Sequence, residues 1–227
     1  MIGRLLRFFV KILSAYHIKK YLDQKMVRLR GMCYTSFRRH TLKIALFYYD
    51  EFSEFEVVLV CLLFRRYDLV FIALEDREYQ SEEGQRFCMD QVIQDVDPDS
   101  IDLLVIPGGE PAPIVDNPEL KGFVENLVAR NKKVAGICGG ASLLAGLGVL
   151  KGKKCTGLAS GKNPDIPSYQ YFSDSIFLDD HVVVDGNLIT AQGQAYVEFA
   201  FELVRQMGLC KNEAECQAGI NWFKNIR

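Results

Sequence analysis

The sequence predicts an α/β fold, a doubly wound, mostly parallel sheet with helices on both faces. Three observations carry this. From Leu42 onward, short apolar runs alternate with longer segments of helical periodicity, and parallel neighbours need such crossovers. The run Ile101-Asp-Leu-Leu-Val-Ile106 is almost continuously apolar, as a strand buried on both faces must be. Glycines then follow two of the strand-like runs directly, at Pro107-Gly108-Gly109 and at Cys138-Gly139-Gly140. In open α/β sheets such strand ends carry the site.

The elements follow in order. Lys43–Tyr49 reads as a strand, Glu54–Tyr67 as a helix with an apolar stripe, and Leu69–Leu74 as a second strand. Phe87–Ile93 reads as a short hairpin, and Ile101–Ile106 as a strand that Pro107 and two glycines stop. Pro118–Asn131 is the next helix, Val134–Ile137 a buried strand, and Gly140–Gly148 a small-residue helix able to lie close to the sheet. Val182–Thr190 divides into two strands at Asp185-Gly186-Asn187, a tight-turn sequence. Tyr196–Met207 is amphipathic, and Glu213–Phe223 forms a terminal helix.

Composition bounds the function classes. With 49 % apolar and 25 % charged residues the chain has ample material for a core, which excludes disordered, collagen-like and disulfide-scaffold proteins. The apolar run Val57–Phe64 falls far short of the roughly 20 residues that span a bilayer. Seven cysteines without a Cys-x-x-Cys pair fit neither a disulfide framework nor a zinc site, and point to a reducing, cytoplasmic setting. Neither a metal nor a cofactor is expected. The three histidines, His17, His40 and His181, leave little imidazole for chemistry.

Charge is unevenly spread. Residues 1 to 41 hold ten Lys/Arg against Asp23 alone, while the remainder holds 17 basic against 28 acidic residues. Ile2, Leu5, Leu6, Phe9, Ile12 and Leu13 recur at helical spacing among Arg4, Arg7 and Lys11, the pattern of a basic amphipathic helix for a membrane surface or of a transit peptide. A plainer reading makes this leader untranslated or disordered. Arg38-Arg39 can be encoded AGG-AGG, a ribosome-binding sequence, with Leu42 as a TTG start. Residues 42–227 then form one domain without repeat or linker. It is expected to take a small-molecule substrate and no nucleic acid, and to meet no membrane unless the leader is real.

Gly136-Ile137-Cys138-Gly139-Gly140 places a cysteine where a buried strand meets a helix, a nucleophile-elbow arrangement with sulfur in place of oxygen. The helix N-terminus favours a thiolate, so Cys138 is expected to be the most acidic and most reactive of the seven thiols. The competing reading is a small buried apolar residue. Gly109 and Gly139 offer backbone N–H groups to a developing oxyanion. Glu56 follows the first strand in Ser53-Glu-Phe-Glu56, where two roles compete. Ser-x-x-Glu is a capping box, and a carboxyl beside a thiol is an acid/base partner.

The order strand-Glu56-helix, Ile106-Pro-Gly-Gly109, Ala135-Gly-Ile-Cys-Gly-Gly-Ala141 and Val184-Asp-Gly-Asn-Leu-Ile-Thr-Ala-Gln-Gly193 resembles the DJ-1/PfpI family, relatives of class I glutamine amidotransferases. The resemblance covers about residues 42–209 and implies a flavodoxin-like fold and a homodimer. It also implies Cys138 as the reactive cysteine, Glu56 as its carboxyl partner, and Gly109 and Gly139 as backbone donors. The departures concern histidine. Gly139 stands where protease-like members carry His, Cys155–Ser160 lacks one, and so does Ala191-Gln-Gly-Gln194. His181 is expected at the far end of its strand from the site, in a structural role. Without a triad His, amidase, protease or amidotransferase chemistry ranks below two other readings. The first is addition of Cys138 to a small electrophilic carbonyl with Glu56 as acid/base, glyoxalase-like if active. The second is a non-enzymatic redox or stress protein in which Cys138 oxidises reversibly.

Overall fold

The computed structural model describes residues 42–158 and 165–226. The basic leader lies outside the described residues. In chain order the elements are β1 (Lys43–Phe47), α1 (Phe55–Phe64), β2 (Asp68–Ala73), β3 (Glu78–Gln80), β4 (Arg86–Cys88), β5 (Gln91–Val92), β6 (Leu103–Ile106), α2 (Pro118–Ala129), β7 (Lys133–Ile137), α3 (Gly139–Gly146), β8 (Lys154–Cys155), β9 (Ile176–Phe177), β10 (Val182–Asp185), β11 (Leu188–Ala191), α4 (Tyr196–Gln206) and α5 (Glu213–Phe223). None of the described helices is long and apolar enough to cross a membrane.

Seven strands form the main sheet in the order β10-β11-β7-β6-β1-β2-β5. All neighbours are parallel except β10, which returns antiparallel along β11. Ile44–Phe47 and Leu103–Ile106 are fully buried, which explains their unbroken apolar runs. The chain winds outward from β1 through β2 and β5, then crosses back to β6 on the other side. The crevice at this reversal opens beyond the carboxyl ends of β1 and β6. The doubly wound α/β architecture expected from the sequence is the one observed.

Three local expectations are corrected. The hairpin does not span Phe87–Ile93. It is formed by β3 and β4 around Ser81–Gly84, while Asp90 binds the β2 edge by donating from its N–H to Phe71 O and accepting Phe71 N–H, so that β5 joins the sheet. Gly84, at φ 85°, supplies the left-handed residue of that turn. The chain also contains a disulfide, Cys210–Cys216, with Cα atoms 6.0 Å apart. The turn between α4 and α5 brings these two together, which their spacing does not reveal.

The third correction concerns the capping box. The start of α1 carries no side-chain cap from its own chain neighbourhood. The Ser53 N–H donates instead to Gly108 O at 3.0 Å, which takes away the donor Glu56 was to satisfy. The β3–β4 turn supplies the cap, since the Glu83 carboxylate accepts the N–H groups of Glu54 and Phe55 at 3.2 and 3.1 Å. Glu83→Ala is therefore expected to cost about 1 kcal/mol in denaturant unfolding. Ser53→Ala, which leaves its backbone contact in place, should cost less, and the reverse ranking would restore the capping box.

Candidate active site

Four strand ends converge on Cys138. β7 delivers it at φ 52° and ψ −119°, a left-handed backbone that a non-glycine residue adopts at a cost of about 1–3 kcal/mol. Its N–H donates to Ala191 O, and its carbonyl accepts the Ala141 N–H, so sheet and helix both hold the turn. The side chain is half-buried, and the Gly139 N–H points at its sulfur. This is the elbow the sequence implied.

Glu56 is buried, with 2 % of its surface exposed, in the first turn of α1. Its Oε2 accepts the Gly108 N–H at 2.8 Å, and the carboxyl lies beside the Cys138 thiol, close enough for each to shift the other's ionisation. Two glycines make room for the pair. A Cβ on Gly108 would overlap Glu56 Oε2 and lie 2.9 Å from Cys138 Cβ; on Gly193 it would sit 2.7 Å from Glu56 Oε1 and 3.1 Å from Sγ. The strand end after β11 thus closes over the carboxyl–thiol contact. Gly109 and Gly139 pack directly against each other, since a Cβ on Gly139 would overlap Gly109 O and stand 3.0 Å from Gly109 N.

Outside the pair is an open cleft of about 650 Å³, whose walls include Phe55, Leu158, Gln194, Glu82 and Glu110. Among the described residues that line it, there is no Lys, Arg or His. His181 requires a correction. Because β10 runs antiparallel, its start lies beside Ala191, at the same sheet edge as Cys138 rather than the far one. The residue is nevertheless exposed and does not line the cleft.

The protonation pattern differs from the sequence expectation. Burial, then the charge of Glu56, push the Cys138 thiol up to about 12, while the Gly139 N–H pulls it down. Burial raises Cys61 as well, to about 11, and the acidification expected for Cys138 at a helix N-terminus is outweighed by burial and the adjacent carboxyl. Burial likewise raises Glu56 to about 7, against the lowering hydrogen bonds from Gly108 and Cys138. At neutral pH the pair keeps a proton on sulfur and has a carboxyl near its midpoint. A thiolate forms readily only when Glu56 holds the proton, because two adjacent buried anions repel.

Sequence reasoning missed several participants. Gly108 serves through its N–H, Gly193 through its lack of a side chain, and Gln194 through its place in the cleft wall. Only Gly108 and Gly193 fell within recognised motifs, and nothing in their spacing marked these roles.

The raised carboxyl has a stability consequence. Between pH 4.5 and 7 the folded chain binds a Glu56 proton that the unfolded chain releases, so stability should fall as pH rises through this window, by about 3 kcal/mol in total. Above pH 7 this dependence ends. Denaturant titrations at a series of pH values should show the loss in wild type and its absence in Glu56→Gln. Parallel curves for the two proteins would contradict a buried, proton-holding carboxyl.

Comparison with known proteins assigns the chain to a family. The profile of the DJ-1/PfpI family matches residues 42–206. A putative cysteine protease of Bacillus subtilis, YraA, is 30 % identical over 154 residues, which are 66 % of this chain and 88 % of its own length. A deglycase of Thermococcus kodakarensis is 27 % identical over 154 residues, 66 % of this chain and 90 % of its own length. Protein DJ-1 homolog D of Arabidopsis thaliana is 32 % identical over 140 residues, 59 % of this chain but 35 % of its own length, so the chain spans little more than a third of that relative. Among solved structures, a DJ-1 superfamily protein from Agrobacterium tumefaciens superposes with a TM-score of 0.67 at 32 % identity, over 80 % of this chain and 97 % of that one. With the profile running from β1 to the end of α4, the chain belongs to the DJ-1/PfpI family.

Proposed function

We propose that the protein is a cytoplasmic cysteine-dependent enzyme acting on small, uncharged carbonyl compounds, with α-oxoaldehydes as the substrate class. The observation that carries this reading is the placing of the Glu56 carboxyl beside the Cys138 thiol, in a cleft whose described lining holds no imidazole. The deglycase names of relatives from Thermococcus kodakarensis and Pyrococcus furiosus favour carbonyl chemistry over peptide hydrolysis.

In the proposed reaction the thiol proton passes to the Glu56 carboxylate as Sγ bonds to the aldehyde carbon. The carbonyl π pair moves to oxygen, which the N–H groups of Gly109 and Gly139 receive, and the proton completes a thiohemiacetal. Glu56 then takes the proton from the former aldehyde carbon and returns it to the adjacent ketone carbon, while the thiohemiacetal hydroxyl proton passes to the ketone oxygen, leaving a 2-hydroxy thioester. Water cleaves it to a 2-hydroxy acid and restores the thiol, so substrate plus water equals product. Peptide hydrolysis fits less well, since among the described residues of the cleft none resembles the imidazole that protonates a leaving amine. A purely redox role also fits less well, because oxidation follows thiolate character and Cys138 holds its proton.

A homodimer is part of this reading. Phe55, Val58 and Leu62 recur on one exposed face of α1, continued by Tyr196 of α4, whose ring meets that of Phe55. A second copy packed on the same face through a two-fold axis would cover this apolar surface beside the cleft. Sedimentation should give twice the 25.8 kDa chain mass, and Val58→Asp should give a monomer. A monomeric wild type rejects the dimer.

Methylglyoxal turnover to a 2-hydroxy acid tests the chemistry. Cys138→Ser should abolish it, and Glu56→Gln should slow it by about 10²-fold or more. Glu82 and Glu110 at the mouth should disfavour anionic glyoxylate at low salt, with the gap narrowing as ionic strength rises. Turnover that survives Cys138→Ser sinks the proposal.

A further inference from the structure

Tyr49 is an unassigned phenol beneath the site. It lies just beyond β1 and is 3 % exposed. Its O–H approaches two carbonyl oxygens of the β6 turn, Gly108 O at 2.8 Å and Pro107 O at 3.2 Å. The shorter contact identifies Gly108 O as the main acceptor. That oxygen also accepts the Ser53 N–H at 3.0 Å, while the N–H of the same residue donates to Glu56 Oε2 at 2.8 Å. Gly108 is thus held through both of its backbone polar groups.

The next peptide link converts this into an aim. Gly108 C=O and Gly109 N–H share one planar trans peptide and point in opposite directions. Two donors draw the carbonyl inward, so the Gly109 N–H is turned outward, and Gly109 lines the same cleft as Cys138. Tyr49 does not line that cleft; it lines a second one, and Glu110 is shared by the two. Burial, reinforced by the charges of Cys138 and Glu56, holds the phenol well above its ordinary value, so it remains a donor at working pH.

We propose that Tyr49 is a positioning residue for carbonyl addition, fixing the Gly108 carbonyl so that the Gly109 N–H faces the oxyanion formed when Cys138 attacks. This rests on the carbonyl-directed reading of the site and adds to it a side chain that touches neither substrate nor sulfur. Removing the phenol oxygen leaves the carbonyl with the Ser53 N–H alone, and the peptide is then free to tilt. Reactions that place negative charge on a carbonyl oxygen should suffer, whereas displacement at an alkyl carbon should not.

Tyr49→Phe separates the two. With methylglyoxal, kcat should fall about tenfold with little change in KM, a smaller loss than removing an oxyanion donor outright. Alkylation of Cys138 by iodoacetamide, which develops no oxyanion, should stay within twofold of wild type. Exchange of the Gly109 amide hydrogen, followed by NMR, should quicken about tenfold while that of Gly139 is unchanged. An unchanged kcat overturns the proposal, as does a parallel fall in turnover and alkylation, which marks general damage to the site. Should wild type show no Cys138-dependent turnover, the functional reading fails separately, and amide exchange decides on Tyr49. Faster exchange at Gly109 supports the tether, and equal exchange overturns it.

Discussion

The hydrogen bond from the Gly108 N–H to Glu56 Oε2 is the contact on which the site depends. It joins the first turn of α1 to the turn after β6, and so fixes where the carboxyl sits relative to the elbow after β7. A buried carboxyl needs partners, and among the described residues the Gly108 N–H donates to this one, with the Cys138 thiol beside it. The two glycines around the pair have the same origin. A side chain at either position would occupy the space where carboxyl and sulfur meet.

The electrostatics follow from burial rather than from the helix end. A helix N-terminus favours a thiolate. Here it acts through the single N–H of Gly139, while desolvation and the adjacent carboxyl act in the opposite sense and are stronger. The pair therefore behaves as a proton-sharing unit whose reactive form carries its proton on oxygen. The acidic mouth formed by Glu82 and Glu110 reinforces this, since Glu82 also raises both groups of the pair.

Most of the architecture was legible in the sequence. The unbroken apolar runs at Ile44–Phe47 and Leu103–Ile106 marked the central strands, because strands buried on both faces cannot alternate polar and apolar residues. The glycines at 136, 139 and 140 marked the elbow, and Pro107-Gly108-Gly109 marked its neighbour. The hairpin was misplaced because β-branched and aromatic content at Phe87–Ile93 outweighed the turn residues at Ser81–Gly84. His181 was misplaced because spacing to a turn says nothing of strand direction, and the antiparallel return of β10 reverses which end faces the site.

The sequence by itself determined the sheet, its parallel strands and the position of the elbow cysteine, since periodicity and glycine placement are local properties that burial and backbone sterics read directly. Only the tertiary structure decided what each polar group does. Ser53 and Glu56 have the spacing of a capping box, yet the competing partner, Gly108, lies 52 residues from Glu56. Tyr49 reaches a carbonyl 59 residues away, and Cys210 pairs with Cys216 only because a helix turn faces them toward one another. Contacts of this range depend on which strand ends become neighbours, a choice made by burying the whole core at once and not encoded in any short stretch of residues.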